Sequence, residues 1–230
     1  MSKVDFWSIF SGMTQRIIKS YLCYLLLLIG MVSWCKAYGQ TDNLEPIRES
    51  LITFNDRNQV KIRAYYNNIH ETLLKDLDRF PSARVVVLPS FSGCYVLSIE
   101  KGQDRPYLLK RSIQIQDGQS LDGIKQSKIM ISALLQEKIV ALFKIALANT
   151  QYPKKPYEGR DGTTYYFVAN NRPYKERVGT TWSPVKGSRM ADLVEVVELV
   201  DKMVETRNTV VGNQIIEKVD QLLERFANEQ

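Results

Sequence analysis

The sequence predicts an α+β domain with a small, mostly antiparallel sheet of about three to five strands and helices packed mainly on one side. Three observations support this fold class. Short β-branched segments follow one another between turn residues, a helix with one apolar face interrupts them, and two amphipathic helices end the chain. The regular strand–helix alternation of a parallel sheet is absent, as are a glycine-rich dinucleotide fingerprint and a phosphate loop.

The region before the first strand is predicted to be mainly helical over 47–80, ending at Pro81, because proline cannot continue a helix. Its apolar residues fall at helical spacing: Ile69, Leu73, Leu74, Leu77 and Phe80. Alternation over 59–66 leaves a strand open there as an alternative. The polar residues 40–46 are expected to form a flexible lead-in.

Three strands are predicted next, at 83–88, 93–100 and 107–115. The turn 101–106 joins the second and third into a hairpin. Residues 116–126 contain two glycines and are expected to form a loop.

The middle of the chain predicts a short strand at 128–131, a helix at 133–149 and a loop at 150–158. The helix has one apolar face, formed by Leu135, Ile139, Leu142, Phe143 and Ala146.

A strand is predicted at 163–168, after the turn dipeptide Asp161-Gly162. Residues 170–187 show little periodicity. The runs 161–167 and 181–184 look like motifs, but they resemble no family with a known activity.

Two helices are predicted at the C-terminus, 189–206 with Ser188 as its cap and 213–228 after Gly212. The last helix has a continuous apolar stripe opposite a polar face. We therefore expect it to pack against its own domain rather than to serve only a partner.

The first 39 residues have the order of a secretory signal: a basic leader, the 14-residue apolar run Tyr21–Trp34, and small residues at the cut. Ala37 and Gly39 lie three residues and one residue before a cut ahead of Gln40. We therefore predict that 1–39 is a cleaved signal peptide and that 40–230 forms a single domain.

Two alternatives to cleavage remain open. An uncleaved N-terminal helix could anchor the protein, although a spanning helix needs about 20 apolar residues. Cys35 could be lipidated, although bulky Trp34 precedes it where a small residue is expected.

The mature chain would carry a net charge of +3, against +6 for the whole sequence. This balance is not the footprint of a nucleic-acid-binding protein. Cys94 would be its single cysteine, which rules out an internal disulfide and favours a bacterial exported protein, found in the periplasm or the cell envelope.

A thiol nucleophile is the sharpest enzymatic hypothesis, with Cys94 activated by the chain's single histidine, His70. No local signature surrounds either residue, so we expect Cys94 to be structural. One histidine and one mature cysteine also argue against a zinc site. The sequence predicts no metal and no cofactor.

Paired carboxylates are a second enzymatic hypothesis, because glycosidase acids have no fixed sequence spacing. The acidic residues near predicted turns are Glu100, Asp104, Glu158 and Asp161. Solvated surface charges are the simpler interpretation of all four.

The segment 151–190 carries a net charge of +5 and seven aromatic residues. Cations and aromatic rings on loops suit anionic ligands and sugars. The predicted ligand-binding residues are Arg160, Arg172, Arg177 and Trp182.

The sequence thus predicts an exported, non-catalytic binding or interaction protein of the bacterial envelope. Its partner would be a protein, an envelope glycan or another anionic ligand, and a membrane only if the N-terminal segment is retained. The alternative is a small envelope hydrolase or transferase that uses Cys94 or the turn carboxylates.

Overall fold

The computed structural model of the chain describes residues 42–46, 71–116, 119–153, 161–172 and 175–228. All of them belong to one compact unit, Gly39–Gln230. The predicted signal peptide, the strand alternative at 59–66 and His70 lie outside the described residues.

The described part contains a seven-stranded sheet in the order β1-β7-β6-β2-β3-β4-β5, with every neighbouring pair antiparallel. The strands are β1 (Glu45–Pro46), β2 (Arg84–Pro89), β3 (Cys94–Glu100), β4 (Tyr107–Gln116), β5 (Gln119–Met130), β6 (Thr163–Arg172) and β7 (Lys175–Trp182).

In the described ranges, three long helices accompany the sheet: α1 (Ala133–Ala148), α2 (Arg189–Thr206) and α3 (Val211–Asn228). The first two begin at serine caps, since the side chains of Ser132 and Ser188 accept backbone N–H bonds from Leu135 and Ala191. The α2 helix ends at Arg207 in the left-handed conformation, with φ of 52°.

One face of the sheet forms the main core with the helices. Buried residues of β2, β3, β4 and β6 pack with the apolar faces of α1 and α2, and α3 packs against both of these helices. The expectation that the last helix packs on its own domain is confirmed: its stripe of Ile215, Val219, Leu222 and Phe226 is buried in this core.

The other face carries a smaller apolar cluster, in which a helical turn at 71–74 covers the sheet. Its buried members are Leu73, Val86, Leu88, Cys94, Val96 and Ile113. Sheet residues therefore face apolar surroundings on both sides, which explains the continuous apolar run in β2.

The α+β class is confirmed, but the predicted sheet of three to five strands is wrong, because the sheet has seven. The predicted loop at 116–126 lies mostly in β5, and the segment 170–187 contains β7. The predicted lead-in at 40–46 contributes β1. β1 and β5 are the two edge strands of the described sheet, and β7 is next to β1. Strands near an edge are less buried, so they need fewer apolar residues and their sequence pattern is weaker.

The lead-in is also fixed to the helical layer. The backbone N–H of Arg189 donates to the Asp42 carboxylate, and the Arg189 guanidinium donates to Asn43 Oδ1 at 3.1 Å. The same guanidinium lies 5.0 Å from the ring centre of Phe226 in α3. None of the helices in the described ranges is long and apolar enough to cross a membrane.

Candidate binding surface

The four sequence-predicted ligand residues do not form one described cluster. Arg160 and the side chain of Arg172 lie outside the described part. Arg177 is exposed on β7, and Trp182 is half-buried at the end of the same strand. Residues five apart on a strand point to opposite faces, about 17 Å apart, so Arg177 and Trp182 do not share a site.

Trp182 lies instead where the sequence runs 161–167 and 181–184 meet in the structure. Ser183 and Thr163 are joined by the backbone bond Ser183 N–H to Thr163 O at 2.9 Å, and Thr163 N–H donates to Ser183 Oγ at 2.8 Å. A Cβ on Gly162 would lie 2.5 Å from the Trp182 ring, so this close approach requires glycine. The β6–β7 pairing brings the runs together.

The β2–β3 turn joins this cluster through Ser90, whose Oγ accepts from Gly162 N–H and whose own N–H donates to Gly162 O. Next to it, the ring of Phe91 is 83% exposed. The turn cluster (Ser90–Phe91, Asp161–Thr163 and Trp182–Ser183) therefore presents a large aromatic side chain to solvent beside hydroxyl groups.

Cys94 lies at the start of β3, only 2% exposed, within the smaller apolar cluster. Burial raises the pKa of its thiol to about 11. A thiol with such a pKa is protonated at neutral pH and is a poor nucleophile. His70, its proposed activating base, lies outside the described residues.

The turn carboxylates do not assemble into an acid pair. Glu100 is buried and ion-paired with Arg84 at 3.2 Å, and Ser98 Oγ donates to the same carboxylate at 2.6 Å. Asp161 precedes β6, at the opposite end of the sheet. That separation is roughly 20 Å for strands of this length, well beyond the 5–9.5 Å of glycosidase carboxylates.

Of the remaining two turn carboxylates, Asp104 is exposed and Glu158 lies outside the described residues. Within the described ranges, no three side chains among His, Cys, Asp and Glu are placed to hold a metal ion.

A charged cluster that the sequence analysis missed lies between β4 and α2, where buried Lys110 meets the half-buried Asp201 and the exposed Glu205. Lys110 Nζ is 2.6 Å from both Asp201 Oδ1 and Glu205 Oε1, and 4.6 Å from the ring centre of Tyr95. Burial raises the pKa of Asp201 although Lys110 lowers it, whereas the hydrogen bond from Lys110 lowers the pKa of Glu205.

This cluster joins an element of the sheet to a helix and opens into no cavity described in the structure. We interpret it as structural. The strand pattern contained the signal, since Lys110 occupies an inward position in line with buried Leu108.

A pocket of about 230 Å³, here called the end pocket, opens where β5 ends, α1 and α3 begin and α2 ends. It contains no charged side chain; the lining residues are Met130, Ile131, Ser132, Leu135, Met203, Thr209, Gly212, Asn213 and Ile216. Met130, which lines the pocket, is 50% exposed. Leu134 at 52% and Val210 at 69% exposure are each one position in sequence from a lining residue.

A second cavity lies between the sheet and the helices α1 and α2, but its volume is only about 20 Å³ and its lining is apolar. A cavity of this size holds about one water molecule. It is a packing defect rather than a ligand site.

No protein-family model, curated protein or solved structure matches this chain. The functional argument therefore depends on the residues and surfaces described above.

Proposed function

We propose that this chain is an exported, non-catalytic binding protein of the bacterial envelope, with the end pocket as its binding site. The observation that supports binding is the pocket itself, which exposed Met130 lines, with exposed Leu134 and Val210 each one position in sequence from a lining residue. Exposed apolar side chains scattered singly are ordinary, but a group of them around a concavity is typical of an interaction site. Export is supported by the signal-like order of residues 1–39.

The enzymatic alternative has less support. Its thiol candidate is a buried group with a pKa raised to about 11. Its described carboxylates are either neutralised by an arginine or separated by the length of a strand.

Site-specific photo-crosslinking in an exporting bacterial host tests the proposal. A photoreactive phenylalanine analogue at Leu134 or Val210 should give a crosslinked product of discrete mass. The same analogue at Lys144, an exposed position on α1, is the matched control and should give none. If neither pocket position yields a discrete product, or if all three yield the same products, the end pocket is not a binding site.

The basic and aromatic segment 151–190 remains a second candidate surface, favoured by its net charge of +5 and by the exposure of Arg177 on β7. If its partner is anionic, the double replacement of Arg172 and Arg177 by alanine should weaken binding of that partner without lowering the melting temperature. Binding there should also fall with added salt, because exposed charges are screened within about 8–10 Å at physiological ionic strength.

A further inference from the structure

We propose that the edge strand β5 binds an acidic, extended protein segment as an additional strand, with one apolar side chain of that segment in the end pocket. The inference rests on the proposed binding function and names the class of partner. Three features support it: an open sheet edge, its positive charge, and the continuity of that edge with the pocket.

The first feature is the open edge. In the strand order, β5 is outermost, and among the described residues it pairs with β4 alone. Its 12 residues make it the longest strand described, whereas the opposite side of the sheet ends in the two-residue strand β1. An open edge presents backbone N–H and C=O groups that a second chain can pair with.

The second feature is charge. The strand carries two exposed lysines, Lys125 and Lys128, and one acidic residue, Asp122; the part from Gly123 to Met130, which leads to the end pocket, has no acidic residue. Lys125 lies on the helix side, where it lowers the pKa of Glu205, and Lys128 lies on the other side, 5.8 Å from the ring centre of Tyr107. An incoming strand would therefore meet a cation on each face.

The positive charge of this edge also decides which kind of strand can pair with it. Two copies of β5 paired edge to edge would bring four lysines together, and edge lysines oppose such self-association. An acidic segment gains from the same lysines, because glutamates three positions apart point to opposite faces of its strand.

The third feature is continuity with the pocket. Met130 is the last residue of β5 and also lines the end pocket. A strand paired along β5 would thus bring a terminal side chain to an opening lined by Ile131, Leu135 and Ile216. Backbone pairing would supply affinity, and the pocket would select the side chain.

Fluorescence anisotropy with a defined peptide tests the inference. The probe is a labelled, N-acetylated peptide of about eight residues, the length of an ordinary strand, made of valine and threonine with two glutamates three positions apart and a leucine at its end. A matched peptide has lysine at both glutamate positions. The unaltered domain should bind the acidic peptide at least about tenfold more tightly, a difference of about 1.4 kcal/mol.

Two kinds of variant locate the binding. The double change Lys125→Glu and Lys128→Glu should reverse the preference between the peptides, while Lys144→Glu on α1 should leave it unchanged. Proline at Gln126 or Ser127 tests backbone pairing, because neighbouring N–H groups of an edge strand alternate between the sheet and solvent. The proline variant that keeps the normal melting temperature should lose peptide binding.

Four results would overturn the inference. The first three are that the domain binds both peptides equally, binds neither, or still binds the acidic peptide when it carries the stable proline substitution. The fourth is that the unaltered protein forms a dimer that the proline substitution abolishes, because β5 would then pair with a second copy of the chain. If one of these results occurs but Leu134 or Val210 still gives a discrete crosslink, the proposed binding function stands and only the acidic strand partner is excluded. Loss of those crosslinks as well would mean that the binding function itself has failed.

Discussion

Lys110 holds a charge at a position where the neighbouring strands present apolar side chains to α2. Two carboxylates and the Tyr95 ring surround its ammonium group. A buried ion pair contributes little compared with an apolar substitute, but removal of one partner leaves an uncompensated charge. The cluster therefore makes a specific prediction about pH.

Replacement of Lys110 by methionine should lower the free energy of unfolding by about 1–3 kcal/mol at neutral pH, less than for a fully buried pair, because Asp201 and Glu205 keep contact with solvent. Without the cation, burial raises the folded-state pKa of Asp201 further above its value in the unfolded chain. A carboxyl group with a raised folded-state pKa stabilises the fold below its unfolded-state pKa, and this contribution is lost as the pH rises through the folded-state value. The deficit should therefore be larger near pH 7 than near pH 4.

Urea unfolding at both pH values measures this difference. Lys138→Met is the matched control, because Lys138 and Asp220 form an ion pair that is partly exposed. Its loss should cost less than about 1 kcal/mol. A pH-independent deficit in the Lys110 variant would show that Asp201 does not depend on this cation.

The buried thiol of Cys94 gives a second residue-scale prediction. Cys94→Ser should cost about 1–2 kcal/mol, because it places a hydroxyl group in an apolar site. In the unaltered protein, a folded-state pKa of about 11 against an ordinary value of 9.0 stabilises the fold below pH 9.0. That contribution is lost between pH 9.0 and about 11, as the unfolded thiol ionises first.

Denaturant unfolding of the unaltered protein and of Cys94→Ala across this pH range isolates the thiol, since Tyr95 is common to both proteins. The stability of the unaltered protein should fall more steeply. Rapid modification of the native thiol at neutral pH would contradict the structural role and restore the enzymatic hypothesis.

At the scale of elements, helices were predictable and the outer strands were not. The helix predicted at 189–206 was confirmed as Arg189–Thr206, because its cap and apolar face are both encoded locally. In contrast, β5 contains Gly123 and mostly polar residues, since an edge strand is only partly buried. Its pairing depends on β4 rather than on any pattern of its own.

The same limit applies to β7 and to the candidate sites. Gly179, which weakens a strand pattern, sits where a Cβ would lie 3.0 Å from Leu147 and from Leu44, so close packing explains the glycine. The turn cluster was visible as two runs in the sequence, but their contact depends on strand pairing. The end pocket joins four elements, and no single segment predicts it.

Substitutions in helix α3 can show whether it stabilises its own domain or instead binds a partner. Leu222 is buried in the core and its neighbour Leu223 is only partly buried, although sequence periodicity did not separate them. Leu222→Ala should cost about 2–5 kcal/mol and Leu223→Ala clearly less. Thermal unfolding measures both, and a domain that stays fully folded when truncated at Val211 would show that α3 serves another purpose.

At the scale of the whole molecule, the predicted signal peptide precedes the described domain. Asp42 and Asn43, which hold Arg189 at the start of α2, are the third and fourth residues after the predicted cut. Cleavage before Gln40 would therefore keep this attachment, whereas a cut a few residues later would remove it. The predicted position of the cut would thus be coupled to the stability of the helical layer.

We expect protein from an exporting bacterial host to have the intact mass of residues 40–230 and to occur in the periplasmic fraction. Gly39→Leu should leave the precursor uncut, because a small residue is required immediately before the cut. Gln40→Ser, which changes the residue after the cut, is the control and should be processed normally. A mass matching residues 1–230 in the membrane fraction would favour the uncleaved anchor, and a lipid-modified product that begins at Cys35 would favour a lipoprotein. Either result would contradict cleavage before Gln40.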